Sequence, residues 1–181
     1  SGLDIQILGG ALNDLKDVIP LLSEVKHIFH LAGCVNAARK KQYYETNTAS
    51  TEQLIKAAHR EGKGRIRFYL VSSLEAGGPY AEGVRSESTP DQPITHYGKS
   101  KYLAEKWVAQ YKDDLFTAII RPPVVYGPGD PSMLTIFKCV QQGWSLQIGP
   151  SEQYVSMIYI QDLIDALMAM MDADYQTGQT Y

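Results

Sequence analysis

Three short apolar runs, "HIFHLAG" (27–33), "RFYLVSS" (67–73) and "FTAIIR" (116–121), alternate with stretches that carry apolar residues at helical spacing. Each run is too short for a helix and ends in glycine, serine or an Arg-Pro step, as a buried strand does. Between the first two lies "YYETNTASTEQLIKAAHREG", with Thr51, Leu54, Ile55 and Ala58 on one face and Gly62 as a C-terminal stop. Between the second and third, the spacing predicts a helix from about Tyr97 to Lys112. Strands joined by such helices are βα units, which build a parallel sheet with helices on both faces.

The flanks are read in the same way. "LDIQIL" predicts a short strand ended by Gly9-Gly10, and "NDLKDVIPLLSEV" a helix with Leu15, Val18, Ile19 and Leu22 on one face. Further on, "SMLTIFKCVQQG" and "DLIDALMAMMDA" read as helices and "VSMIYI" as a strand, with "PPVVYGPGDP" as a loop. At 181 residues, 44% hydrophobic and 20% charged, the chain has the make-up of one ordinary globular domain.

Several classes of function are disfavoured by composition. A net charge of −3 gives no electrostatic footprint for nucleic acid or an anionic membrane, and the basic clusters "ARKK" and "KGRIR" are short and separated. Cys34 and Cys139 form neither a disulfide framework nor a metal-spaced set, so no metal site is expected. No apolar run approaches the ~18 residues that span a bilayer, and no signal peptide opens the sequence. The expectation is a cytoplasmic protein.

In open parallel sheets, ligands bind beyond the carboxyl ends of the strands. The segments after "FHLA", "YLVSS" and "AIIR" are therefore where a site should lie. The segment 74–95, rich in glycine and proline, is a long loop of the kind that usually serves function. It leads into "THYGKSKYLAEK", which holds a tyrosine and a lysine four residues apart twice over, at Tyr97/Lys101 and Tyr102/Lys106. Residues four apart share a helix face, so an ammonium can approach a phenol and favour its ionised form. Such a tyrosine can exchange a proton with a hydroxyl or carbonyl while a hydride moves elsewhere. Tyr97 and Tyr102 are five residues apart, roughly 140° around the helix, so they cannot both face one site. Tyr97 begins the helix beside the strand ends; Tyr102 and Lys106 are read as packing and surface. Ser72 and Ser73, at the end of the preceding strand, are placed to hold the reacting oxygen.

With "FHLAG", Asn47-Thr48, "YLVSSLEAGGP", "YGKSKYLAE", "RPPVVYGPGD" and "YIQDLIDAL" in this order, the chain resembles the extended short-chain dehydrogenases/reductases, the NAD-dependent epimerase/dehydratase group. The resemblance runs from about Ile5 to Ala169. It implies a Rossmann-like, doubly wound parallel sheet binding NAD or NADP, with a Ser/Tyr/Lys catalytic set acting on a small-molecule substrate. Matching Gly78 to the family's strand-end glycine selects Ser73, giving Ser73, Tyr97 and Lys101 as catalytic residues, with Tyr97 and Lys101 also touching the cofactor. It implies further that Ala32 and Gly33 line the cofactor's path, that Asn47 is the family asparagine behind the site, and that Pro122, Val124 and Val125 border the nicotinamide. A homodimer through the helices around Tyr43–His59 and Tyr97–Tyr111 is implied as well.

There are also departures from the pattern. No G-x-G-x-x-G turn follows "LDIQIL", and no second strand carries a residue for the adenosine ribose. Ala11 stands where the family usually has an aspartate near the adenine. "LDIQILGGALND" resembles the family's third strand, so the expected domain is a partial Rossmann sheet lacking its first two strands. Residues 127–181 would lead into an incomplete substrate domain. The third strand is expected to pair directly with the fourth, or the gap to be filled from another molecule or from flanking residues. As to the reaction, Val124 replaces the asparagine usual in sugar-nucleotide epimerases, and Leu74 the carboxylate often found in 4,6-dehydratases, though Glu75 matches its neighbour. "SSLEAGGP" and "RPPVVYGPGDP" resemble the hydroxysteroid-dehydrogenase and dihydroflavonol-reductase branches. The leading expectation is an oxidoreductase of secondary alcohols or ketones. A nucleotide-sugar epimerase or, less so, dehydratase is the alternative, and a cofactor-free inactive fragment or regulatory module the third.

Overall fold

A computed structural model describes residues 5–11, 13–80, 83–144 and 154–181. The strands are β1 (His27–His30), β2 (Arg67–Val71), β3 (Phe116–Ile120), β4 (Val124–Tyr126), β5 (Met157–Tyr159) and β6 (Gln179–Thr180). The helices are α1 (Lys40–Tyr43), α2 (Ser50–Gly62), α3 (His96–Ala109), α4 (Pro131–Gln141) and α5 (Ile160–Asp172). The chain divides into two units, Ser1–Arg121 with Tyr175–Tyr181, and Pro122–Asp174.

In the first unit, β1, β2, β3 and β6 form one wholly parallel sheet in that order, with His30 opposite Leu70 and Leu70 opposite Ile119. Phe68, Tyr69 and Leu70 on β2 are fully buried, which explains why this strand reads as an unbroken apolar run rather than an alternating one. One face of the sheet packs Phe68, Leu70 and Ile119 against Ile55 and Ala58 of α2 and Ala104 and Val108 of α3. On the other face Tyr69 stacks on Phe29 with ring centroids 4.5 Å apart.

The expected βα alternation is present, with differences at its margins. Residues 5–8 of the predicted first strand form no regular structure, Leu3 and Asp4 lie outside the described residues, and β1 has no partner on its outer edge among the described residues. A strand persists only where its backbone groups find partners, and apolar side chains alone do not supply them. The direct pairing of the third family strand with the fourth is therefore not formed. The predicted helix around Leu15–Leu22 contracts to a 3₁₀ turn at Ile19–Ser23, with Pro20 near its start and Leu22 buried. The long helix after β1 is broken into α1, a π turn at Tyr44–Ala49, and α2. There the Ser50 hydroxyl donates to the Thr46 carbonyl and the Thr51 hydroxyl to the Asn47 carbonyl, at 2.7 Å for the latter. These side chains take up carbonyls of the widened turn. Helix α2 ends at Gly62, and the left-handed residue that follows is Lys63 (φ 49°).

The second unit pairs β4 with β5 in parallel and packs α5 on both. Helix α4 starts at Pro131, with the Asp130 carboxylate accepting from the Ser132 and Met133 amides. Neither α4 nor α5 is long and apolar enough to cross a membrane, nor is any other helix among the described residues.

Candidate active site

The carboxyl end of β2 places Ser73 as the cap of a 3₁₀ turn, Leu74–Ala76, where its oxygen accepts from the Glu75 amide at 3.2 Å. With that acceptor position taken, its own hydroxyl hydrogen is free to point elsewhere, and Ser73 lies beside the Tyr97 phenol. The two meet because α3 begins directly on the turn. Gly98 lies so close to the Glu75 carbonyl that any side chain would collide with it. Thr95 caps α3 by accepting from the Gly98 amide at 2.9 Å, and its hydroxyl donates to the Glu75 carboxylate at 2.7 Å. The sequence left Ser72 and Ser73 open before the family resemblance was considered. In the structure the neighbouring Ser72 is buried, its hydroxyl without a partner among the described residues, while Ser73 adjoins the phenol.

Burial pushes the Tyr97 phenol above its ordinary range. The neighbouring Ser73 hydroxyl pulls in the opposite direction, and the Glu75 charge pushes it further up. This differs from the lowering expected from Lys101. Lys101 lies one turn further along α3, 4% exposed, and its ammonium donates to the Val71 carbonyl at the end of β2 at 2.8 Å. Burial lowers Lys101 to about 8, partly opposed by the charge of Glu105. The second tyrosine–lysine pair is different in kind: Lys106 lies over the Tyr102 ring, 4.7 Å from its centroid, at the surface.

Asn47 is buried in the π turn and holds three elements together. Its side chain accepts from the Cys34 amide at 2.6 Å and donates to the Cys34 carbonyl at 3.1 Å and the Ser100 hydroxyl at 2.9 Å. Gly33 lies alongside: a β-carbon there would come within 3.2 Å of the Asn47 side-chain oxygen and 3.8 Å of the Lys101 ammonium. The structure therefore gathers Gly33, Asn47 and Lys101, with half-buried Ala32 next to Gly33 in the same segment. Pro122, Val124 and Val125 belong to the second unit, where Val124 and Val125 pair with Met157 and Ile158.

Sequence reasoning passed over three neighbours of this constellation. His30, 4% exposed, meets the Thr51 hydroxyl at 2.9 Å. That hydroxyl spends its hydrogen on the Asn47 carbonyl, so the ring must donate from Nε2. Burial, aided by the Lys101 charge, lowers His30 to about 4 and keeps it neutral. Tyr43 sets its ring edge-on to Tyr97 at 6.2 Å, and the Tyr44 hydroxyl meets His96 Nδ1 at 3.0 Å. The doubled tyrosine before "ETN" was the available signal. Among the described residues, no group of His, Cys, Asp or Glu is arranged to hold a metal ion.

Residues 2–181 match the model of the NAD dependent epimerase/dehydratase family, and the chain belongs to that family. It is 34% identical over 184 residues to a UDP-glucose 4-epimerase of Vibrio cholerae, covering 95% of this chain and 56% of that one. It is 27% identical to a ceramide reductase of Caulobacter vibrioides, covering 92% of this chain and 47% of that protein. Among solved structures it resembles MoeE5 in complex with UDP-glucuronic acid and NAD at a TM-score of 0.79 and 25% identity, covering 94% of this chain and 60% of that one. The chain spans about half the length of the curated relatives it matches.

Proposed function

We propose that the protein is an NAD(P)-dependent oxidoreductase acting on a secondary alcohol or ketone, with Tyr97 as general acid/base. The observation that carries this reading is the meeting of Ser73 and the Tyr97 phenol at the carboxyl end of β2, with buried Lys101 one turn further along α3. The donor set fits a nicotinamide dinucleotide. An ammonium has three hydrogens, and the hydrogen bond to Val71 occupies one of Lys101's, leaving donors for a ribose diol. Ala32 and Gly33 would pass beside the cofactor, and Lys101 and Tyr97 would hold its nicotinamide ribose. When bound, the nicotinamide supplies or accepts the hydride.

The chain's own groups handle the proton. With its pKa raised, Tyr97 is protonated at neutral pH and is ready to protonate a carbonyl oxygen as that carbonyl is reduced. In the oxidative direction it must first lose that proton, so oxidation should accelerate as pH rises. The Ser73 hydroxyl, free to donate, steadies the reacting oxygen. Within the second unit, Tyr126, Met133, Leu134, Phe137 and Tyr159 line a largely apolar cavity of about 290 Å³. The Caulobacter relative's name, a reductase of ceramide, supports the same class.

A nucleotide-sugar epimerase is the second reading, favoured by the 34% identity to the Vibrio enzyme. It would use the same Tyr97 proton chemistry in both directions. Val124 weighs against it, since valine offers no hydrogen bond to the phosphates of a nucleotide-sugar. Titration with NADH and NADPH, followed by energy transfer from Trp107 and Trp144, tests the shared premise. Saturable binding, weakened in Lys101→Ala, is expected; no binding by either the 181-residue chain or a longer form of the protein would overturn it. Turnover of a hydroxysteroid-like alcohol but not of UDP-glucose would then separate the two readings.

A further inference from the structure

The described residues of the 74–95 segment, between Ser73 and Tyr97, have little regular structure, yet both limbs of the segment are held. The holding device is an ion-pair cluster that proton transfer does not use. Arg121, 9% exposed at its side chain, grips two carboxylates with both edges of its guanidinium. It donates to the two oxygens of Asp91 at 2.7 and 2.8 Å, and to those of Glu105 at 2.9 and 2.6 Å. Arg85 adds a third arm, donating to Asp91 at 2.7 Å and to the Thr89 and Pro90 carbonyls at 3.0 and 3.1 Å. Its guanidinium also lies over Gly77, where any side chain would displace it. Two arginines and two carboxylates balance in charge, so the cluster can remain ionised while mostly buried.

We infer that Asp91 is the positioning residue of the Ser73–Tyr97 pair: through Arg121 and Arg85 it fixes the loop that sets the distance between serine and phenol. The inference rests on the reading of those two residues as the proton-transfer pair. The connection runs through named bonds. The amide of Gln92, next to Asp91, donates to the Gly77 carbonyl at 2.8 Å, and Gly78 donates to the Glu75 carbonyl at 3.2 Å. Gly78 has φ +81° and packs directly on the Gln92 carbonyl. Ser73 caps the turn that contains Glu75, and Thr95, four residues past Asp91, caps the helix that carries Tyr97. Anchoring Asp91 therefore anchors both limbs. Burial tends to raise the Asp91 carboxyl, but Arg121 and Arg85 outweigh it and hold it below its usual range, so the anchor keeps its charge at neutral pH.

The test reads the phenol itself. Protein labelled with ¹³C at tyrosine Cζ is titrated, with the Tyr97 signal assigned by its loss in Tyr97→Phe. In Asp91→Ala, the released loop should let water reach the phenol and bring its titration down by about half a unit or more, with a smaller shift in Asp91→Asn. Exchange of the Gln92 amide should accelerate roughly tenfold or more while that of Leu70 in β2 stays unchanged. Should Asp91→Ala not fold, Arg85→Ala leaves the grip of Arg121 intact and should show the same changes at smaller size. An unmoved Tyr97 titration in a folded variant, or equal acceleration at Leu70, would overturn the inference. Neither readout needs cofactor or substrate. Failure of the oxidoreductase reading would show separately, as a wild-type protein that binds neither NADH nor NADPH.

Discussion

Asn47 and Ser100 are joined by a 2.9 Å hydrogen bond, and Ser100 passes its own hydrogen to the Tyr97 carbonyl at 2.7 Å. The asparagine thus connects the Cys34 segment after β1 to the first turn of α3. Replacing it with alanine leaves the Cys34 amide and carbonyl without their partner in a largely closed space. Asn47→Ala should cost about 2–4 kcal/mol of stability in urea denaturation. A loss below about 1 kcal/mol would mean that water replaces the side chain at little cost.

Gly78 and Gly129 both have positive φ, 81° and 90°, yet their surroundings differ. A β-carbon at Gly78 would collide with the Gln92 backbone, whereas at Gly129 nothing lies within 4 Å. Gly129→Ala should therefore cost only the backbone strain, about 1 kcal/mol, and Gly78→Ala more than about 2 kcal/mol. Equal midpoints for the two variants would show that the 74–95 loop gives way freely.

His30 sets the acid limb of stability. Its folded value, about 4, lies below the ordinary 6.5. Between those values the unfolded chain binds a proton that the folded one does not, so stability falls as pH drops from about 6.5 towards 4. The full effect is on the order of 3 kcal/mol for a shift of that size. His30→Gln, which keeps a donor for Thr51, should flatten this limb in pH-dependent denaturation; an unchanged slope would assign the limb to carboxylates instead.

Lys101 acts at the other end of the scale. Its value of about 8 lies below the ordinary 10.5, so in that window the unfolded chain again holds the extra proton. Stability should rise with pH from about 8 to 10.5, and Lys101→Met should abolish the rise. The comparison is made by thermal melts across the window. A wild-type protein whose stability falls there would place the lysine in a wetter site than the structure shows.

For catalysis, Tyr97→Phe should lower turnover roughly 10²–10⁴-fold while the Kd for NADH stays within a few-fold. Retained turnover would assign the proton to another group, Glu75 being the nearest titratable side chain on the same turn.

The parallel sheet and the shared helix of Tyr97 and Lys101 were legible because they rest on local patterns: short unbroken apolar runs, and a four-residue spacing at the start of a helix; the preference for Ser73 over Ser72 came from the family resemblance instead. Position along α3 was enough to separate Tyr97 from Tyr102. The cluster of Arg85, Asp91, Glu105 and Arg121 was not legible, since its members come from a loop, a helix and a strand end and share no periodicity. The direction of the Tyr97 shift was missed for a related reason: spacing shows that Lys101 shares a face with Tyr97, but not how far the phenol is buried or that the ammonium is engaged by Val71. Residues 5–8 of "LDIQIL" were misread because strand pattern is a property of one segment, whereas a strand is a property of two.

The widened turn at Tyr44–Ala49 works as a phase shifter. Every inserted residue advances a helix by about 100°, so the turn resets which residues before and after it are brought onto a common face. Tyr43 and Tyr44 accordingly look towards His96 and Tyr97, while Ile55 and Ala58 look towards the sheet. A single-residue deletion in this turn would leave a better helix by every local measure, and it would swing the tyrosines away from α3. What the turn preserves is angle rather than strength, which makes this stretch intolerant of a change in length even where it tolerates a change in side chain.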